Sequence, residues 1–324
     1  MVRAIFGQPE HAADELRCVL PADLARAIDF TTLTACSGSF VDDALRERHA
    51  DLLFETKLHG GGDALVYVLL EHQSSFDPWL PLRLLDYQVR IWRRWRTEHP
   101  DATKLPPIVP VVLHHGERAW RGSRRFSDLV QIAAGDGNTT EEPVSAAFRR
   151  HLVDFEFLLD DLATQSDESM LARAMSATGR LALLALKHAR TSEDLESRLL
   201  RWIDLVVEML RARDGGAALR LIQRYIFEVS AYVRTEFFEQ PLAAHLPPEF
   251  KESIVPTGLQ LMEQSRQEGV LQGRAESLVR LLAHRFGTLP DDIQQKIDAA
   301  TAIQLDEWIV RVLTAPSLAE VFAA

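Results

Sequence analysis

The run HGGGD at 59–63 constrains this chain more than any other segment. It separates DLLFETKL at 51–58 from ALVYVLLEHQ at 64–73. Both flanks are rich in apolar, β-branched and aromatic residues, and glycine permits the sharp reversal between them, so the segment predicts a β-hairpin. A turn centred on Gly61 opposes Leu58 to Ala64 and Asp51 to Glu71. Directly opposed residues on one face have Cβ atoms about 5 Å apart, where like charges destabilise the sheet. A hard divalent cation converts that repulsion into ligation, because carboxylate oxygens are its preferred donors. Side chains alternate along a strand, so Glu71 and Gln73 share a face and His72 points the other way. Asp51 and Glu71 with Gln73 beside them suit metal-assisted hydrolysis of a phosphodiester. The same loose spacing also fits a hairpin that carries acids at its solvated end.

Charge is distributed unevenly. The net charge of −11 argues against broad electrostatic adhesion to nucleic acid. From Arg83 to Arg125, however, ten Lys/Arg face four Asp/Glu, a local +6 that leaves −17 for the rest. Any DNA-binding surface is expected in that section. Within it, PLRLLDYQVRIWRRWR at 81–96 reads as a helix started by proline. Leu82, Leu85, Val89 and Trp92 fall in one sector and Leu84, Ile91 and Trp95 in the adjoining one, giving a wide apolar face. Arg83, Tyr87, Arg90 and Arg94 cluster on the opposite side, with Arg93 nearby. Arginines stacked without carboxylate partners invite an anion, and Tyr87 could hydrogen-bond a phosphate or the reacting water. A solvated polar face is the plainer alternative. The run PPIVPVVLHHGERAW at 106–120 contains a short buried strand. Adjacent strand residues point to opposite faces, so His114 and His115 cannot readily chelate one ion. His115 is a candidate phosphate contact.

At 324 residues the chain suggests about two domains. One or two short helices are expected over 10–28, with Pro21 starting the second, and a first strand over 31–41. With the hairpin, the helix and the strand at 107–114, they make an α-β-β-β-α-β order over 1–135. The polar loop GDGNTTEEP at 135–143 marks a boundary. A helical region follows over 143–250, with long helices at 168–190, 193–213 and 215–237. The third part, 251–324, is a helical tail. A helix over 257–285 carries the apolar stripe Leu278, Leu281, Leu282 and Phe286, which fits packing on its own bundle or a homodimer. Cys18 and Cys36 lack metal-ligand spacing and read as reduced thiols. No basic-then-apolar leader opens the chain and no apolar run reaches about 18 residues, which predicts a cytoplasmic protein with no membrane segment.

The blocks FVDDALRERHADLLFETKL (40–58), VYVLLEHQSSFDPWLPLRLLDYQVRIW (66–92) and PPIVPVVLHHGERAW (106–120) resemble the recombination-promoting nuclease family, whose members are labelled YhgA-like transposases. The likeness continues through EGVLQGRAESLVRLLAHRFGTLP (268–290). It implies an α/β (α+β) fold with a PD-(D/E)xK restriction-endonuclease-like core, a mixed central sheet and a helical C-terminal region. It implies a metal-dependent DNA endonuclease using Mg²⁺ (or Ca²⁺ or Mn²⁺). Asp51 and Glu71 match the acidic ligands, with the main-chain carbonyl of His72 as a third. Gln73 stands where the wider superfamily usually has lysine, so it offers neutral donors and an acceptor but no cation. On this reading Arg83, Arg90, Arg93, Arg94 and His115 hold DNA, and Tyr87 assists. The alternative is a catalytically impaired nucleic-acid-binding or scaffold protein of the same fold. Family members often open with an acidic-aromatic helix that MVRAIFGQPEHA largely lacks.

Overall fold

The computed structural model describes residues 1–36, 50–60, 63–70, 77–131, 148, 150–251, 300–315 and 317–322, with scattered positions from 275 to 297. It contains two compact units, Met1–Ser253 and Ile254–Ala324. The first holds a five-stranded sheet in the order β1-β2-β3-β4-β5. The strands are β1 (Ile28–Ala35), β2 (Ala50–Leu58), β3 (Asp63–Leu70), β4 (Ile108–His114) and β5 (Leu158–Asp161). β1–β2 and β2–β3 pair antiparallel; β3–β4 and β4–β5 pair parallel, so the fold is mixed α/β.

Three helices precede the sheet: α1 (Val2–Phe6), α2 (Pro9–Val19) and α3 (Ala22–Ala27). Pro9 begins α2 and Pro21 caps α3, where a missing N–H costs nothing. The 19-residue helix α4 (Leu80–Glu98) crosses from β3 to β4. Parallel neighbours need such a crossover, which covers one face of the sheet. On that face Leu53, Val112 and Phe157 meet Leu80, Leu84, Tyr87 and Ile91 in one buried cluster. Leu52, Phe54, Val111 and Leu113 alternate to the other face and are also buried. α1 and α2 cover it.

Beyond the sheet come α5 (Asp167–Leu171), α6 (Ala177–His188), α7 (Leu195–Arg201), α8 (Ile203–Leu210) and α9 (Gly215–Val229). α6 is buried nearly all round and packs against α1, α2, α5, α8 and α9. In the second unit, Thr301 and Gln304 form a capping box for the helix Ala302–Thr314. Leu278, Leu282, Trp308, Val312 and Phe322 make its core, with Leu281 and Phe286 packed against it. The tail's apolar stripe is thus covered by its own unit. Among the described residues no helix is long and apolar enough to cross a membrane.

Several sequence expectations need correction. β1 begins three residues before the expected Thr31, and positions beyond Cys36 lie outside the described residues. The three long helices are each interrupted. Ser176 restarts one by accepting from the Gly179 N–H, and extended Ser230 stops α9. β5 lies beyond the loop expected to end the sheet domain at 135–143, and the helices that follow it belong to the same unit. Pro110 sits inside β4 opposite Tyr67 of β3, and the pairing with β5 begins only at Val111.

A buried polar tie joins α2 to the sheet. Arg173 donates to Glu15 (2.9 Å), to both oxygens of Asp160 (2.6 and 2.8 Å) and to Gln165 (2.7 Å). Two carboxyls meet one guanidinium, so one of them holds a proton. Burial and the Asp160 carboxylate push Glu15 well above the usual carboxylate range. Burial also pushes Asp160 upward, but its hydrogen bonds to Glu15, Arg173 and Gln165 hold it below. Glu15 is therefore the protonated partner. A raised folded-state value stabilises the protein below the ordinary carboxylate range and is lost as pH climbs through that raised value. Urea unfolding should show wild-type stability falling with pH above that range, and Glu15→Gln should flatten the fall. Equal slopes in the two proteins would rule this out.

Candidate active-site edge

Because β2 opposes β3 while β3, β4 and β5 run together, the start of β2 and the ends of the other three strands share one edge of the sheet. A single register row runs along it: Asp51 pairs with Leu69, Leu69 with Val112 and Val112 with Leu159. One row further out, His114 pairs with Asp161. By alternation these two lie on the face of Val112 and Phe157, beneath α4.

The hairpin is present, but its register differs from the expected one. Lys57 pairs with Asp63 and Thr56 with Ala64, so the reversal centres on Gly60. Asp51 consequently opposes Leu69, not Glu71. On its other side β2 is held by β1: Leu58 pairs with Ile28, and the His59 N–H donates to Ala27 O at 2.9 Å. Asp51 is described as a backbone position of β2, while Glu71, His72 and Gln73 lie outside the described residues. Among the described residues no group of three or more His, Cys, Asp or Glu could hold a metal.

At the end of β4 a carboxylate organises the chain. Asp161 accepts from His114 Nδ1 at 2.9 Å, from the Trp120 N–H at 2.8 Å and from the Ala163 N–H at 3.2 Å. His114 and Asp161 are both buried. The Trp120 ring meets His114 edge-on at 5.4 Å and Phe157 at 6.0 Å, and its Nε1 donates to Gly122 O. A Cβ at position 116 would lie 2.7 Å from His114 Nε2, so only glycine allows the chain to fold over that ring. No spacing in the sequence announces this assembly, because two of its three donors, His114 and Trp120, lie more than 40 residues from the acceptor.

The helix residues assigned to DNA are placed differently from expectation. Tyr87 is buried at 3% exposure within the α4 core. Its neighbours on the helix wheel, Leu84 and Ile91, face the sheet, and Tyr87 stands at the boundary of that face. The arginines are also not a carboxylate-free stack. Arg83 pairs with Asp77, Arg90 with Asp86 and Arg94 with Glu98, each at 2.9 Å. Arg93 is exposed. α4 moreover carries its stripe away from the strand ends. Arg94 stands about 16 Å along the axis from Arg83. Trp92 donates to Pro106 O at 2.9 Å, and Trp95 packs in the cluster that includes Ile108, so the last turns of α4 lie at the start of β4. His115, just past β4, is buried.

Burial, then the nearby Glu55 carboxylate, pushes the Cys36 thiol up to about 12, and both cysteines are free thiols. The expected reduced state agrees with that.

A mixed sheet with one polar edge, flanked by helices, is the class of domain defined so far. The family model described as "Putative transposase, YhgA-like" matches residues 1–216, and the chain belongs to that family. It is 30% identical over 253 residues to Recombination-promoting nuclease RpnD of Escherichia coli O157:H7, covering 76% of this chain and 87% of that protein. It is 30% identical over 300 residues to Recombination-promoting nuclease RpnA of Escherichia coli (strain K12), covering 90% of each. A further relative, 26% identical over 277 residues and 84% of each chain, is the Inactive recombination-promoting nuclease-like protein RpnE of the same strain. No solved structure matches the chain significantly.

Asp161→Ala should strip three donors of their acceptor at once. Leaving buried donors unmet costs roughly 1–3 kcal/mol each when they stay dry. Urea unfolding is expected to show a loss of that order, with Trp120 fluorescence reporting greater exposure. A variant as stable as wild type would contradict the clamp.

Proposed function

We propose that the chain is a metal-dependent DNA endonuclease with a PD-(D/E)xK-like core, and that its reaction takes place at the edge shared by the start of β2 and the ends of β3, β4 and β5. The register row from Asp51 to Leu159 carries this reading, together with membership of a family whose relatives bear nuclease names. In open α/β sheets, ligands bind outside the carboxyl ends of parallel strands. Asp51 heads that row at the start of β2.

Asp51, Glu71 and the His72 carbonyl are an all-oxygen set, which suits Mg²⁺, Mn²⁺ or Ca²⁺. Such an ion, when bound, supplies Lewis acidity and a bound water of lowered pKa. The chain's own part is to hold and orient. Asp51 and Glu71 provide the negative donors, and Gln73 positions water or phosphate through its amide. Asp161 fixes the end of β4 at the same edge as the start of β2. The substrate is duplex DNA, encountered in the cytoplasm.

Asp51→Ala and Glu71→Ala should each abolish divalent-dependent nicking of supercoiled plasmid while leaving the thermal unfolding midpoint near wild type. Undiminished nicking by either variant would refute the assignment. A second reading is favoured by the relative named inactive: this copy binds nucleic acid without cutting it. Wild-type binding with no cleavage in Mg²⁺, Mn²⁺ or Ca²⁺ is its signature.

A further inference from the structure

Five of the ten basic residues between Arg83 and Arg125 are tied to carboxylates. Arg83, Arg90 and Arg94 have the partners given above, Arg124 pairs with Glu156 at 2.9 Å, and Arg125 pairs with Asp154. Among the described residues, Arg93, Arg96, Lys104, Arg118 and Arg121 have no ion-pair partner. They fall in two places. Arg93, Arg96 and Lys104 belong to the last two turns of α4 and the link to β4, at the beginning of the parallel strands. Arg118 and Arg121 belong to the loop that leaves β4 at the opposite edge, beside the end of the Asp51 row.

That loop is held as well as charged. Its base is His114, its far side is the Trp120 N–H on Asp161, and the indole is wedged between His114 and Phe157. The Arg118 carbonyl lies 3.7 Å from where a Cβ on Gly116 would be, so the chain doubles back over the end of the strand. The arginine backbones are thereby fixed at the edge while both side chains are exposed. Only side-chain freedom remains to be lost on binding, which lowers the entropic cost of a contact. A guanidinium matches the geometry of a phosphate with two parallel N–H donors.

We propose that the 115–122 loop, and not the arginine stripe of α4, is the DNA-backbone grip of this protein, with Arg118 and Arg121 each binding a phosphate of the duplex. The proposal rests on the nuclease reading for its choice of ligand. Its occupant is duplex DNA: the grip is two exposed cations, with the exposed carboxylate Glu117 between His115 and Arg121 in the same loop, beside an edge assigned to phosphodiester chemistry, in a chain whose residues outside 83–125 sum to −17.

The test compares wild type, the double variant Arg118→Ala/Arg121→Ala and the double variant Arg93→Ala/Arg96→Ala. Each double variant removes two positive charges, so net charge is matched. Binding of a fluorescent DNA duplex is followed by anisotropy in EDTA over a salt series. Each lost phosphate contact should lower the slope of log K against log salt by about one and weaken binding at fixed salt by roughly tenfold. The loop variant should therefore show a slope shallower by about two, and the α4 variant should match wild type. Thermal unfolding of all three should coincide, since the substituted side chains are exposed.

Wild-type affinity and slope in the loop variant would overturn the proposal. So would an equal loss in the α4 variant, or tighter binding of single-stranded RNA than of duplex DNA. Plasmid nicking by wild type and the loop variant alike, with unchanged affinity, would sink the grip and spare the nuclease reading. No cleavage and no binding by wild type would sink both.

Discussion

The antiparallel pairing of β2 with β3, set against the parallel pairing of β3, β4 and β5, is the constraint from which the candidate site follows. Only this combination brings the first residues of one strand to the last residues of three others. Parallel strands leave their ends aligned after each crossover, and a single hairpin reverses the neighbour. The polar residues at those ends then meet although they are distant in the chain. Asp161 is the clearest product: its oxygens collect donors from β4, from the loop after it and from the turn that follows β5.

Burial of both sheet faces explains how charge is arranged. α4 takes one face and the N-terminal helices the other, so charges near the sheet must be paired or protonated. Glu15, Asp160 and Arg173 show both solutions in one cluster. On the outer side of α4 the arginines meet carboxylates on the same helix or just before it. Exposed pairs of this kind add little stability. They do lower the local field, and the basic section is consequently less cationic than its arginine count implies.

Membership of a family that includes nucleases and an inactive relative leaves catalysis to be argued from the site. At the described edge the ordered polar groups are His114, Asp161 and the loop that carries Arg118 and Arg121.

Local chemistry along the chain specified a good deal. Two apolar β-forming runs around glycines define the hairpin, proline marks the starts of α3 and α4, and the apolar run after Pro107 is β4. These depend on residues a few positions apart. The pairing register did not follow from the glycines alone: three successive glycines allow more than one centre, and the reversal falls at Gly60. Nor did helical periodicity place Tyr87, which lies on the wheel between the apolar and basic sectors and was assigned by contact with the sheet. β5 is too short, at four residues, to stand out before it joins β4. Short-range preference thus chose the elements of this protein, and contacts between distant segments chose which polar groups share an edge, since a strand's hydrogen bonds are satisfied by whichever neighbour the whole fold supplies.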